Sequence, residues 1–236
     1  IAEEIDNRKE KLADISKGIS RFCIGLFKKV VIANVAAELV AKYMDADASS
    51  LAVGGAWLGL IMFAIQIYFD FSGYSDMAIG LGWMFGFHYH ENFKYPYTAT
   101  SVSDFWRRWH ISLGTFFKDY VYIPLGGNKK HIYLNLFIVW FLTGMWHGAS
   151  WNFIAWGFIH ACGFMPLLLL NRNRQHIHDV VAKDRLFPTL KEVWQMVTTF
   201  SFVTVAWIFF RANGMANAFG YLKHLMLSLY ENPGQF

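Results

Sequence analysis

Between His131 and Leu170 the chain reads HIYLNLFIVWFLTGMWHGASWNFIAWGFIHACGFMPLLLL, forty residues without Asp, Glu, Lys or Arg. As one helix this run would be roughly 60 Å long, about twice the hydrocarbon thickness of a bilayer. Its middle, GMWHGASWN, places His147 among tryptophans and glycines. The basic pairs on its flanks, Lys129-Lys130 before it and Arg172 and Arg174 after it, favour the same, cytoplasmic side for both ends. The run is therefore expected to form a hairpin or deeply re-entrant arrangement that bends near Gly144–Gly148, with one long tilted helix as the alternative.

The rest of the chain agrees with a membrane setting. Only 16% of the 236 residues are charged, 55% are hydrophobic and 19% aromatic, with a mean hydropathy of +0.28. A soluble domain carries about 25% charged residues. The net charge of +4 sits in short clusters between apolar runs, the pattern of cytoplasmic loops, so no nucleic-acid partner is expected. Cys23 and Cys162 lack metal or redox spacing and read as small core residues. The expected fold class is an all-α polytopic membrane protein with interfacial or re-entrant helices, forming a single membrane-embedded domain over residues 1–236. The chain opens on charged residues without Met, and it is expected to be part of a longer protein.

Several segments carry specific expectations. Residues 18–42 are apolar but hold Arg21, Lys28, Lys29 and Glu38, which suits a partly interfacial helix, with a span carrying snorkelling lysines as the alternative. Residues 51–69 have spanning length, with Gly55 and Gly59 as a site of close helix approach. Beyond them Gly80, Gly82 and Gly86 predict a broken or short membrane helix. Asp70 and Asp76 then either cap helix ends at the interface or line a polar cavity. Ser101-x-x-Asp104 resembles a capping box, opening an amphipathic helix whose face carries Phe105, Trp109, Leu113 and Phe116. The GGNKK turn at residues 126–130 makes Lys129 and Lys130 candidates for holding an anionic group, although a positive-inside loop explains them equally. Residues 193–210 form a further near-spanning segment, and residues 212–230 a weaker one.

Two histidines carry the candidate chemistry. His147, in uncharged surroundings, is either a neutral hydrogen-bonding residue between helices or a general base acting on a hydroxyl. In the second reading Trp151, one helical turn on, would stack against it. His110 is either an interfacial histidine or a second polar group of the same pocket. The close pairs His88-x-His90 and His176-x-His178 do not share a helical face, so no metal site is expected.

Taken in order, FDFSGYSDMAIGLGWMFGF, NFKYPYTATSVSDFWRRWHISLGTFFKDYVYIPLGGNKK and FLTGMWHGASWNFIAWGFIHA resemble motifs of the membrane-bound O-acyltransferase (MBOAT) superfamily. The branch they are most similar to O-acetylates alginate and other cell-surface polysaccharides in bacteria. The resemblance runs over residues 69–161 and corresponds to the C-terminal part of such proteins. It implies an MBOAT-like helical bundle in the bacterial inner membrane and acyl transfer to an exported polysaccharide. The implied donor is acetyl-CoA, with no tightly bound cofactor, and the implied partner is a periplasmic acetyltransferase. The histidine of the WHG motif matches His147, the principal catalytic residue, and that of FWRRWHISL matches His110, its accessory. A transporter or export-channel subunit working through Asp70 and Asp76 is the alternative function.

Overall fold

The computed structural model describes residues 2–45, 52–170 and 180–231. Among these residues every regular element is helical. Three helices are long and apolar enough to cross a membrane: Val53–Met84, Trp151–Leu169 and Leu190–Arg211. The chain is an all-α membrane protein. It divides into two compact units, residues 1–92 and 93–233.

The first unit opens with a short α1 (Ala2–Asn7). Next, α2 (Leu12–Phe27), a π-helical segment (Lys28–Ala33) and α3 (Asn34–Met44) follow one another without interruption. This rod packs antiparallel along α4 (Val53–Met84). The contact is set by glycines seven residues apart on both helices. A Cβ on Gly18 would lie 2.5 Å from the carbonyl oxygen of Gly80, and one on Gly25 would lie 2.5 Å from that of Gly73. Backbones can meet this closely only where side chains are missing.

That packing bears on four sequence expectations. The segment 18–42, expected to be partly interfacial, packs along its length on a spanning helix. Gly80 and Gly82 lie inside the continuous 32-residue α4 and do not break it, because the packing gained at Gly80 outweighs its low helix propensity, about 1 kcal/mol against Ala. The closest backbone approach falls at Gly73 and Gly80, while at Gly55 the Tyr43 ring of α3 comes within 3.2 Å of where a Cβ would stand. Asp70 and Asp76 lie inside α4 and do not cap its ends; both are ion-paired. Asp76, in the middle of α4, pairs with Arg21 and with Lys28, each at 2.6 Å, and Asp70 pairs with Lys29. Helix α4 ends where the glycine rule does apply. Gly86 has φ 77°, and the Gly86 and Phe87 amides donate to the carbonyls of Trp83 and Gly82, the two bonds of a Schellman motif.

The second unit begins with a 3-10 turn at Pro96–Thr98. Ser101 caps α5 (Val102–Arg108), accepting from the Asp104 amide. The Asp104 carboxylate reaches back to the amide of Thr100 and forward to Arg108, so the expected cap forms with its return bond shifted by one residue. The amphipathic helix predicted to continue from here is split. Trp109 leaves helical geometry, His110 sits in the left-handed region at φ 47°, and α6 (Ile111–Phe117) restarts after it. A π-helical turn (Lys118–Tyr122) and the GGNKK turn follow.

Helices α7 (Ile132–His147) and α8 (Trp151–Leu169) form an antiparallel hairpin. Gly144 lies against the Phe153 backbone and Gly157 against that of Trp140. The bend falls at Gly148, where φ is 158° and a Cβ would strike the Phe153 ring. The hairpin is the arrangement expected from the uncharged run, and the single long helix is excluded. At 16 residues α7 is shorter than a full span. Of the basic flanks, Lys129 and Lys130 are exposed just before α7, whereas Arg172, Arg174, His176 and His178 lie outside the described residues. Thr189 and Glu192 form a complete capping box at the start of α9 (Leu190–Arg211), and α10 (Met215–Glu231) closes the unit. The Asn152 side chain ties the head of α8 to the Ala212 carbonyl just past α9, at 2.8 Å.

Cys23 and Cys162 are both exposed, which corrects their reading as core residues. A membrane helix is apolar on its outer face as well as its inner one, so apolar neighbours in sequence do not imply burial.

Candidate functional site

His147 is the last residue of α7, placed there by the stop at Gly148. Its ring is half-buried and surrounded by aromatics. Centroid distances are 4.9 Å to Trp146, 5.0 Å to Phe210, 5.1 Å to Trp156 and 6.2 Å to Phe153. These residues come from α7, α8 and α9, so the cage exists only once the hairpin has closed on α9. Trp151, expected to stack on His147, is 74% exposed and faces away. The bend at Gly148 ends the helical register on which that expectation depended, and Trp156 takes its place.

His110 lies in the same neighbourhood. Its ring is 5.9 Å from that of Trp146, which also contacts His147 at 4.9 Å, and the two imidazoles are close enough to interact electrostatically. The left-handed backbone at His110 is uncommon for a residue with a side chain, and such positions cluster at functional sites. The break in the amphipathic helix is therefore what turns His110 towards the site.

A cavity of about 470 Å³ adjoins His110. Trp106, Trp140, Thr143 and Phe164 supply part of its wall, and Arg107 and Lys118 are its cationic lining. This volume lies in the range of small-molecule sites, roughly 300–1,000 Å³. The GGNKK turn meets the cavity only through Asn128; Lys129 and Lys130 are exposed and are not part of its wall. The Asn135 side chain holds that turn in place by donating to the carbonyls of Leu125, Gly127 and Lys130. Among the described residues, no three His, Cys, Asp or Glu side chains converge as a metal site would require.

One functional-looking residue escaped the sequence reading. His160 on α8 is fully buried, ringed by Trp106 at 4.8 Å, Trp156 at 5.0 Å, Trp140 at 5.2 Å and Phe202 at 5.8 Å. It stands in the same uncharged run as His147, so the argument that singled out one histidine applied equally to the other. Arg107 and Lys118 also belong to the site, and nothing local in the sequence shows that a cavity opens beside them.

Comparison with known proteins gives a consistent result. The model of a family described as "MBOAT, membrane-bound O-acyltransferase family" matches residues 4–210. A peptidoglycan O-acetyltransferase of Helicobacter pylori is 41% identical over 94% of this chain and 41% of its own length. A "Probable alginate O-acetylase AlgI" of Pseudomonas putida is 43% identical over 91% of the chain and 42% of its own length. A teichoic acid D-alanyltransferase of Streptococcus thermophilus is 28% identical over 94% of the chain and 57% of its own length. The chain thus spans about two fifths of the length of the first two relatives.

Proposed function

Because the chain belongs to the membrane-bound O-acyltransferase family, we propose that it carries the catalytic histidines of a membrane O-acyltransferase. In this reading the enzyme moves an acetyl group from cytoplasmic acetyl-CoA towards an exported cell-surface polysaccharide such as alginate. It works in the bacterial inner membrane with a periplasmic acetyltransferase as partner. The observation that carries the proposal is the meeting of His147 and His110 around Trp146, beside a cavity with cationic lining. Two of the relatives are named for O-acetyl transfer to polymers of the cell surface, which supports the acetyl group and the class of acceptor.

The chemistry follows from the residues. An acceptor hydroxyl is a weak nucleophile until a base takes its proton. His147 accepts that proton as the hydroxyl oxygen attacks the thioester carbonyl. When the tetrahedral intermediate collapses, the C–O bond is kept and the C–S bond breaks. The proton held by His147 passes to the departing thiolate, so an ester and a thiol replace an alcohol and a thioester. Charge develops on the carbonyl oxygen during the attack and calls for a hydrogen-bond donor, the role proposed for His110. The aromatic cage keeps bulk water, a competing nucleophile, away from the thioester. Arg107 and Lys118 are the cavity's candidates for the donor's anionic groups.

The transporter alternative drew on a broken helix and on carboxylates free to bind cargo. With α4 continuous and both carboxylates paired, neither observation is left to favour it. The test is His147→Ala in the natural full-length polypeptide, with ester-linked acetate measured separately on exopolysaccharide and on peptidoglycan. Acetate on one of these fractions should fall by about 10²-fold or more, the contribution of a general base. Wild-type acetate on both, at a wild-type level of protein in the membrane, would overturn the proposal.

A further inference from the structure

The acyl-transfer reading uses His147 and His110 and leaves the fully buried His160 without a role. Trp106 Nε1 donates to His160 Nδ1 at 3.2 Å. An indole N–H can only donate, so Nδ1 is the bare nitrogen and the hydrogen of a neutral ring sits on Nε2. That atom is also buried, and among the described residues it has no hydrogen-bond partner. Burying an unsatisfied donor is unfavourable, whereas an apolar side chain of similar volume avoids the penalty. Packing therefore does not explain a histidine at this position; the accepting Nδ1 does.

The bond links α8 to α5 across 54 residues of sequence. Trp106 precedes His110 by four residues, and both line the cavity. On the other side, the Trp156 ring lies 5.0 Å from His160 and 5.1 Å from His147, edge-on to each. His160 thus touches Trp156, which packs on His147, and Trp106, which lines the same cavity as His110. We infer that His160 is a positioning residue that sets the spacing of His110 and His147, through the hydrogen bond to Trp106 on one side and the Trp156 ring on the other. The inference rests on the acyl-transfer reading for the reaction it serves. The left-handed turn at His110 makes such a brace useful, since a broken helix alone holds that ring less firmly than a continuous one.

Membrane vesicles containing the full-length protein, supplied with radiolabelled acetyl-CoA, provide the test. His160→Leu removes the acceptor, Trp106→Phe removes the donor, and His160→Asn keeps an acceptor near the place of Nδ1. His160→Leu and Trp106→Phe should each lower kcat by about 10- to 100-fold, the scale expected when reacting groups are misplaced by about 1 Å. KM for acetyl-CoA should change little, and His160→Asn should recover most of kcat. The double variant should be no worse than either single one, as expected for two ends of one bond. Wild-type kcat in His160→Leu, an Asn variant as poor as Leu, or additive losses would each overturn the inference. If His160→Leu does not accumulate, Trp106→Phe decides the matter, with wild-type kcat again the overturning result. His147→Ala in the same vesicles separates the two ideas. Its continued activity would remove the acyl-transfer reading itself, whereas its inactivity beside an unaffected His160→Leu would remove only the positioning role.

Discussion

In the first unit, Arg21, Lys28 and Lys29 bring charge into an apolar helix, and Asp70 and Asp76 on α4 answer it with ion pairs. In the second unit Asp104 pairs with Arg108, but the imidazoles of His110, His147 and His160 are set among aromatic rings: Trp106, Trp140, Trp146, Trp156, Phe202 and Phe210. Both arrangements let polar side chains live among apolar ones. An ion pair achieves this by using up its charges on each other, which fixes two helices together and leaves nothing to exchange with a substrate. An imidazole packed against ring edges, as His147 is, still has a lone pair and a hydrogen to offer, whereas Nδ1 of His160 accepts from Trp106. The difference explains why chemistry is assigned to the second unit and a structural role to the first.

The comparison can be broken most forcefully at Trp156, which is fully buried and touches both His147 and His160. Trp156→Ala should destabilise the protein by about 3–5 kcal/mol, seen as a lower unfolding temperature in detergent, and abolish acetyl transfer. A variant of wild-type stability and activity would show that the cage is dispensable. In the first unit, Asp76→Asn should cost about 3 kcal/mol. The carboxylate is only 8% exposed, and its loss takes the counter-charge from Lys28 while Arg21 keeps Glu91 at 2.6 Å, a case of breaking a largely buried pair. Transfer per folded molecule should not change, and a specific loss of kcat would place chemistry in the first unit after all.

Gly25→Leu sharpens the structural half of the comparison. Its side chain would run into the Gly73 carbonyl, and overpacking of this kind costs about 1–3 kcal/mol. An unchanged unfolding temperature would contradict the close contact of α2 with α4. The smallest effect is expected for Asp70→Asn. This pair is 42–43% exposed, so its removal should cost no more than about 1 kcal/mol. A loss as large as that of Asp76→Asn would mean that exposure does not rank the two pairs.

How far the sequence could be read depended on whether the deciding contact was local. The bend at Gly148, the Ser101 cap and the spanning helices 151–169 and 190–211 all follow from residues within a turn or two of each other, and all were expected. His147 was legible for the same reason, as a titratable ring in an uncharged run. The continuous α4 was not, because Gly73 and Gly80 look like helix breakers until Gly25 and Gly18 are placed against them. The exchange of Trp151 for Trp156 at His147 likewise required knowing that the helical register stops at Gly148. His110 was expected on a continuous helix, and its left-handed turn has no local sequence cause such as glycine or proline.

By itself the sequence determined that this is a helical membrane protein of the O-acyltransferase family, with His147 as the residue to change first. Hydropathy, charge spacing and family motifs are written along the chain, and none of them needs distant residues to be brought together. Only the tertiary structure decided which polar groups neutralise each other and which stay available. It paired Asp76 with Arg21 and Lys28 from 55 and 48 residues away, and joined Trp106 to His160 across 54. In an apolar environment the state of a polar side chain is set by the partner it meets, and that partner is chosen by helix packing rather than by sequence neighbours.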